Sequence, residues 1–280
     1  MARGFGSLPV TGVSLNVNRG AMAEEAFGIA TQPVIYGGTY SASGSFDAVY
    51  RSDLDTELDT FFGGFITGVV TPSASIIIYD DVAAYTVTKY AYNSLELKGA
   101  VKDFLRVSMG FIAQKAAAAS GSGSGTVSYT NAPSPFYNTT IDIGGAVKCS
   151  AFSIKFDRPI DTDNFILGSS LLQTTSDGNY LQNGASTVTG SVTMANSEYS
   201  NFTSLMLDSD SEAPATGNTN PLGGGELTIT CSGGTITLAD CKFNEGSVSA
   251  QGRNRFDKTI SFMCAVESAS DITCLGATVS

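Results

Sequence analysis

Apolar and polar residues alternate with period two along most of this chain, and that pattern constrains the fold more than any other feature. Val13, Leu15 and Val17 are apolar while Ser14, Asn16 and Asn18 are polar. Phe152, Ile154 and Phe156 alternate in the same way with Ser153, Lys155 and Asp157. Leu95 and Leu97, then Val107, Met109 and Phe111, and later Ile260, Phe262 and Cys264, repeat the pattern. Successive side chains of a strand point to opposite faces, so each stretch predicts a strand with one face on a core and the other in water. Gly, Ser, Asn and Asp at short intervals between the stretches predict antiparallel sandwiches or barrels.

Helical spacing is sparse. Leu54, Leu58, Phe61 and Phe62 share one face of a short segment with an acidic first turn, which Gly63-Gly64 ends; Ser52 is the predicted N-cap. Tyr199, Phe202, Leu205 and Met206 show the same spacing and predict a matching helix. This match belongs to a larger one. Val13–Arg19 parallels Phe152–Arg158, the stretch before the first helix parallels Val188–Val192, and Tyr92–Ala113 overlays Phe243–Cys264 without a gap. Two copies of one unit are inferred. The Ser120–Gly125 alternation, with Pro133 and Pro135 beyond it, reads as a tether. The chain is therefore divided into a first β-sandwich domain (1–118), a Gly/Ser/Pro linker (119–135) and a second β-sandwich domain (136–280). Asp208–Gly225 reads as a long surface loop inside the second.

Composition narrows the function. None of the 280 residues is histidine or tryptophan, which removes Ser-His-Asp and Cys-His nucleophiles and HExxH zinc sites. The excess of 26 acidic over 15 basic residues gives a net charge of −11 and argues against a grip on phosphate backbones. Asp53, Asp55, Glu57 and Asp59 resemble the start of a calcium loop, but the required Gly and bidentate Glu positions hold Leu58 and Gly64. An acidic first turn favoured by the helix dipole explains them better. Gly223-Gly224-Gly225-Glu226 lacks the Lys and Ser/Thr of a P-loop. A pair of carboxylates brought together only by folding stays open, although nothing marks one out. Five cysteines without a CxxC read as reduced, buried thiols of a cytosolic protein. No signal-peptide core or membrane-length apolar run is present. No enzyme, cofactor or metal is expected.

The order of these blocks resembles the major tail tube proteins of long-tailed, siphovirus-like bacteriophages, in a two-domain form. Thr39–Tyr50 with the helix and Gly63-Gly64 is similar to the family's strand–helix block, and Lys89–Leu97 with Leu105–Phe111 to its paired strands. Cys149–Phe156 and Thr187–Met194 are similar to the same elements in a second domain. The resemblance implies a mainly β fold of two tandem sandwiches, each with a flanking short helix. It further implies a structural virion protein, made in the host cytoplasm, that builds stacked rings around a lumen for DNA ejection. With two domains per chain, a homotrimeric pseudo-hexameric ring is expected, and a homohexamer stays open. Implied partners are further copies of the chain, a tape-measure protein, neighbouring proteins at the tube ends and double-stranded DNA in passage, with no membrane.

Ser14, Asn16, Asn18, Ser153, Lys155 and Asp157 are the candidate lumen or inter-subunit residues. Leu54, Leu58, Phe62, Phe202 and Leu205 are the candidate helix-packing residues, and the Ile166–Ser186 loop is a candidate ring-to-ring contact. The alternatives are another virion ring protein (a tail terminator or connector), a surface β-sandwich adhesin or carbohydrate binder, and a histidine-free hydrolase.

Overall fold

The computed structural model describes residues 3–24, 34–80, 83–119, 130–167, 169–175, 178–198, 224–251, 255–275, 277 and 279. The fold is mainly β. The first half contributes β1 (Arg3–Phe5), β2 (Leu8–Pro9), β3 (Gly12–Glu24), β4 (Val34–Val49), helix α1 (Asp55–Phe62), β5 (Ser73–Asp80), β6 (Ala84–Ala100) and β7 (Arg106–Ala118). The second contributes β8 (Thr140–Ile143), β9 (Ala146–Val147), β10 (Cys149–Asp157), β11 (Thr187–Met194), β12 (Gly224–Cys231), β13 (Gly234–Gln251), β14 (Arg255–Cys264) and β15 (Ile272–Cys274). The candidate second helix with Phe202 and Leu205, and most of the 208–225 loop, lie outside the described residues.

Strand order repeats between the halves. The first runs β2-β1-β5-β6 with β6-β7-β4-β3, and the second runs β9-β8-β12-β13 with β13-β14-β11-β10. The repeat extends to register. The β6/β7 ladder shifts between Tyr92↔Phe111 and Ser94↔Gly110, and the β13/β14 ladder shifts between Phe243↔Phe262 and Glu245↔Ser261. Asn93 and Asn244 are thus equivalent bulged residues, which bend the long strands so that each serves two sheet faces. Gly44 lies opposite Phe111, and Gly190 opposite Phe262. A β-carbon on Gly44 would stand 2.2 Å from the Ser14 carbonyl oxygen and 2.5 Å from Phe111 Cζ; on Gly190 it would stand 2.4 Å from both the Ser153 carbonyl and Phe262 Cζ. Each glycine lets an aromatic ring lie flat on the neighbouring strand.

The two halves share one sheet. All seven pairs from Ala151↔Ala100 to Asp157↔Ser94 join β10 to β6 in antiparallel register. The main core runs through this junction and includes Phe46, Tyr92, Leu95 and Leu97 from the first half with Phe152, Ile154 and Phe156 from the second. The end of the tether is also held. Asn131 N–H donates to Asp53, Arg51 donates to the Asn131 carbonyl, and Ser134 N–H donates to the Tyr50 carbonyl.

Two sequence expectations change. Ser52 is not the N-cap: Ser52–Leu54 forms a 3-10 turn ahead of α1, and no side chain caps either start. The nearby acids face other donors, since Asp55 accepts from the Tyr50 hydroxyl and Asp53 from Asn131. The expectation of five reduced thiols is corrected for two of them. Cys241 and Cys264 lie directly opposite on β13 and β14, 4.1 Å apart at Cα, and form a disulfide. They are 23 residues apart, and only the strand register brings them together. Cys231 and Cys274 are buried thiols and Cys149 is half-buried.

Candidate assembly surface

Eight strands follow one another in the order β3-β4-β7-β6-β10-β11-β14-β13, every neighbouring pair antiparallel. Cross-strand partners share a face, so the register sorts the side chains. One face carries Val13, Leu15, Phe46, Met109, Leu95, Ile154, Val192 and Ile260 and turns to the core. The other carries Ser14, Asn16 and Asn18 of β3, Ser43, Ser45 and Asp47 of β4, and Ser153, Lys155 and Asp157 of β10. Its continuation on β11, β14 and β13 is also rich in Ser and Thr. All six candidate lumen residues lie on this polar face. Ser14, Asn16, Asn18 and Lys155 are exposed, while Ser153 and Asp157 are half-buried.

Neutral hydroxyl pairs knit the face together. Ser14 Oγ and Ser45 Oγ are 2.9 Å apart, and Thr193 Oγ1 and Thr259 Oγ1 are 3.1 Å apart. Among the described residues its carboxylates are Asp47, Glu96, Asp157, Asp240, Glu245 and Asp257, set against Lys98, Arg106, Lys155 and Lys242. The balance is slightly negative, and three pairs neutralise locally: Lys98 lies 2.8 Å from Glu96, Lys155 lies 2.8 Å from Asp157, and Lys242 lies 2.8 Å from Asp240. The net charge of −11 is therefore not concentrated here. At one end the loop between β10 and β11 covers the face. Ile160, Leu172 and Tyr180 pack with Val70, Ala91 and Ile112, and Gln114 donates to the Leu172 carbonyl over 2.8 Å. Ile166 and Leu167, within the predicted ring-to-ring loop, stay exposed.

The β6–β10 junction is built from both halves. Ser153 donates to Glu96 over 2.9 Å on the polar side. On the core side, Phe156 meets Phe61, Phe62 and Phe65 at ring-centroid distances of 6.5, 5.2 and 6.2 Å. Leu54, Leu58, Phe61 and Phe62 are buried, so α1 lays its apolar face over the junction. Arg158 follows directly after β10 and is buried. Its N–H donates to the Asn93 carbonyl over 2.8 Å. Its guanidinium donates to the Tyr92 carbonyl over 2.7 and 3.2 Å and to the Gly63 carbonyl over 2.9 Å, and lies 5.3 Å from the centroid of Phe61. Gly63 caps the C-terminus of α1, where carbonyl dipoles favour a cation. Burial brings the Arg158 pKa down to about 10, still protonated at neutral pH. Sequence patterning did not single out Arg158, Glu96 or Asn93. The signal was present in the match of Arg158 with Arg19 at the ends of the two paralleled stretches.

A second polar cluster lies beneath α1. The Tyr92 hydroxyl donates to Glu57, and burial raises the pKa of both groups, the nearby carboxylate adding to the effect on the tyrosine. This arrangement ties α1 to β6. Among the described residues, no group of three or more Cys, Asp or Glu is placed to hold a metal ion.

The equivalent edges at the outer ends of the eight-strand run have no partner strand among the described residues. β3 pairs only with β4, and β13 beyond Lys242 pairs only with β14. Exposure follows. Val17 is 47% exposed where its counterpart Phe156 is 0%, and Val248 is 57% exposed where its counterpart Leu97 is 0%. A family model for the phage tail tube protein matches residues 30–203, from before β4 across the β6–β10 junction. The chain belongs to the phage tail tube protein family. This places it among the structural proteins of the virion tail. No curated protein sequence matched the chain. No described helix of this tail tube protein is long and apolar enough to cross a membrane.

Proposed function

We propose that this tail tube protein assembles head to tail into closed rings that stack into the tube through which the genome is ejected. One observation carries the reading: the chain already contains one such junction, β6 with β10, and the counterparts of those two strands, β13 and β3, end the eight-strand run with their equivalent edges open. Exposed edges are liabilities unless something pairs with them. Carrying the internal register across by the repeat sets Ser14 opposite Ser249, Asn16 opposite Ser247 and Asn18 opposite Glu245 of the next copy. The same pairing would cover Val17 and Val248.

In this reading residues 1–118 and 136–280 are two tube units joined by 119–135, and three copies supply a pseudo-sixfold ring. Six copies in a wider ring are the other closure. Eight strands from each of three copies, spaced about 4.8 Å apart and tilted by about 35–45°, give a barrel about 45–52 Å across at the backbone. The polar face would line the lumen. Its Ser, Thr and Asn side chains and few scattered charges offer a duplex no row of cations to bind, so passage rests more on neutrality than on repulsion. A tape-measure protein inside the tube and other tail proteins at its ends are the expected partners.

Negative-stain microscopy and light scattering of the purified full chain test the reading, together with an Asn16→Cys/Ser247→Cys double variant. Rings of about sixfold appearance and a disulfide between copies are expected. A monomer that forms no ring at any concentration, or rings in which these two positions never crosslink, would overturn it.

A further inference from the structure

We infer that Arg19 is the latch between copies, entering the neighbouring copy's β13 bulge as Arg158 enters the β6 bulge within the chain. The inference rests on the ring reading above and adds the residue and the atoms it grips. Four observations lead to it.

First, every hydrogen bond Arg158 makes at the internal junction goes to a backbone carbonyl, Asn93 through its N–H and Tyr92 and Gly63 through its guanidinium, while the guanidinium also lies over the Phe61 ring. The bonds at the bulge itself, to the Asn93 and Tyr92 carbonyls, depend on backbone geometry and not on the identity of the side chains there, so they can be reused wherever the bulge recurs. Second, the bulge does recur, at Asn244, with Phe243 in the place of Tyr92. Third, Arg19 stands in β3 where Arg158 stands after β10. Counting back from each, Leu15 and Ile154 are both four residues earlier, and they lie opposite the equivalent Gly44 and Gly190. Fourth, Arg19 is exposed and sits 5.6 Å from the centroid of Tyr40, with the β3/β4 register shifting just beyond it. Tyr40 is itself held by its hydroxyl, which donates to the Ala116 carbonyl over 2.6 Å. Arg19 therefore has a perch in the single chain and a built destination in the next copy.

In the assembled junction, the Arg19 N–H donates to the Asn244 carbonyl of the second copy, and its guanidinium donates to the Phe243 carbonyl. A charged donor makes stronger hydrogen bonds to backbone carbonyls than the neutral strand ladder around it. The rigid fork of a guanidinium can serve one carbonyl twice, as Arg158 does at Tyr92, whereas a lysine would reach it with a point charge.

The test compares the wild-type full chain with Arg19→Ala, Arg19→Lys and Tyr40→Leu, measuring the concentration at which half the protein is in rings and the melting temperature of the unassembled protein. For Arg19→Ala we expect at least a tenfold higher assembly concentration, a factor equivalent to about 1.4 kcal/mol, with the melting temperature of the monomer within about 1 °C of wild type. Arg19→Lys should fall between the two. Tyr40→Leu, which removes the perch together with the hydroxyl's hydrogen bonds to Ala116, should still assemble at the wild-type concentration or below it. If wild type forms rings and Arg19→Ala assembles at the same concentration, the latch is wrong while the ring stands. If Arg19→Ala lowers the melting temperature of the monomer as much as it weakens assembly, Arg19 acts within its own chain and the latch is again overturned. A wild-type chain that never forms rings removes the ring reading itself.

Discussion

Gly44→Ala and Gly190→Ala form a matched pair of perturbations whose cost can be worked from the structure. At Gly44 the new methyl would stand 2.2 Å from the Ser14 carbonyl oxygen and 2.5 Å from Phe111 Cζ; at Gly190 the distances are 2.4 Å to the Ser153 carbonyl and 2.4 Å to Phe262 Cζ. The ring ends can swing away, but each carbonyl belongs to a strand paired on the same sheet, so the strands must part by nearly an ångström. Overpacking of this degree costs about 1–3 kcal/mol, set against about 0.4–1 kcal/mol regained because alanine restricts the unfolded chain. Contacts of 2.2–2.4 Å to backbone oxygens put the overpacking cost at the upper end of its range, so a net loss of about 2 kcal/mol is expected for each. With an unfolding entropy of about 2.1 cal/mol/K per residue, a chain of this length should lose about 3–4 °C in melting temperature. Circular dichroism melts below the assembly concentration would measure it, with Gly145→Ala as control, since nothing lies within 4 Å of a β-carbon there. Phe111→Leu added to Gly44→Ala should recover only part of the loss, because the carbonyl contact remains. Two alanine variants that melt within 1 °C of wild type would refute the close approach. One large effect beside one null effect would refute the equivalence of the two glycines.

Other consequences follow from the junction and from the buried polar groups. Arg158→Ala should cost about 3–5 kcal/mol in urea unfolding of the full chain, since the Tyr92 and Gly63 carbonyls lose a charged donor in a buried site. Glu57 has its carboxyl pKa raised by burial, so the folded state holds a proton that the unfolded state has released; its contribution to stability is largest at acidic pH and is lost as pH rises from the ordinary carboxylate range through the raised value. Glu57→Gln should therefore melt higher than wild type at neutral pH, with the difference shrinking as the pH falls towards the ordinary carboxylate range. Burial pushes the Cys149 thiol up to about 12 and that of Cys274 further in the same direction. The folded chain should resist iodoacetamide at pH 8, and after denaturation mass spectrometry should count three labelled cysteines without reductant and five with it.

Much of this molecule was legible because strand alternation and aromatic spacing are local. The inward set of Leu95, Leu97, Val107, Met109 and Phe111 could be read from period two alone, and so could the polar set Ser14, Asn16 and Asn18. The burial of Leu54, Leu58 and Phe62 follows from helical spacing in the same way. The capping of the helix did not follow. Asp55 bonds the Tyr50 hydroxyl and no side chain caps the start, an outcome that depends on how α1 sits against strands from elsewhere.

What the amino-acid order determined by itself was the strand content, the polar and apolar face of each strand, and the presence of two repeated stretches. These are properties of neighbouring residues, set by side-chain periodicity. Tertiary structure alone decided which edges meet: β6 with β10, Cys241 with Cys264, and the Arg158 guanidinium with carbonyls 66 and 95 residues away. Backbone hydrogen bonds are nearly blind to sequence, so a strand's partner is selected by the packing of whole layers. That selection left one edge of β3 and one edge of the end of β13 without a partner strand among the described residues.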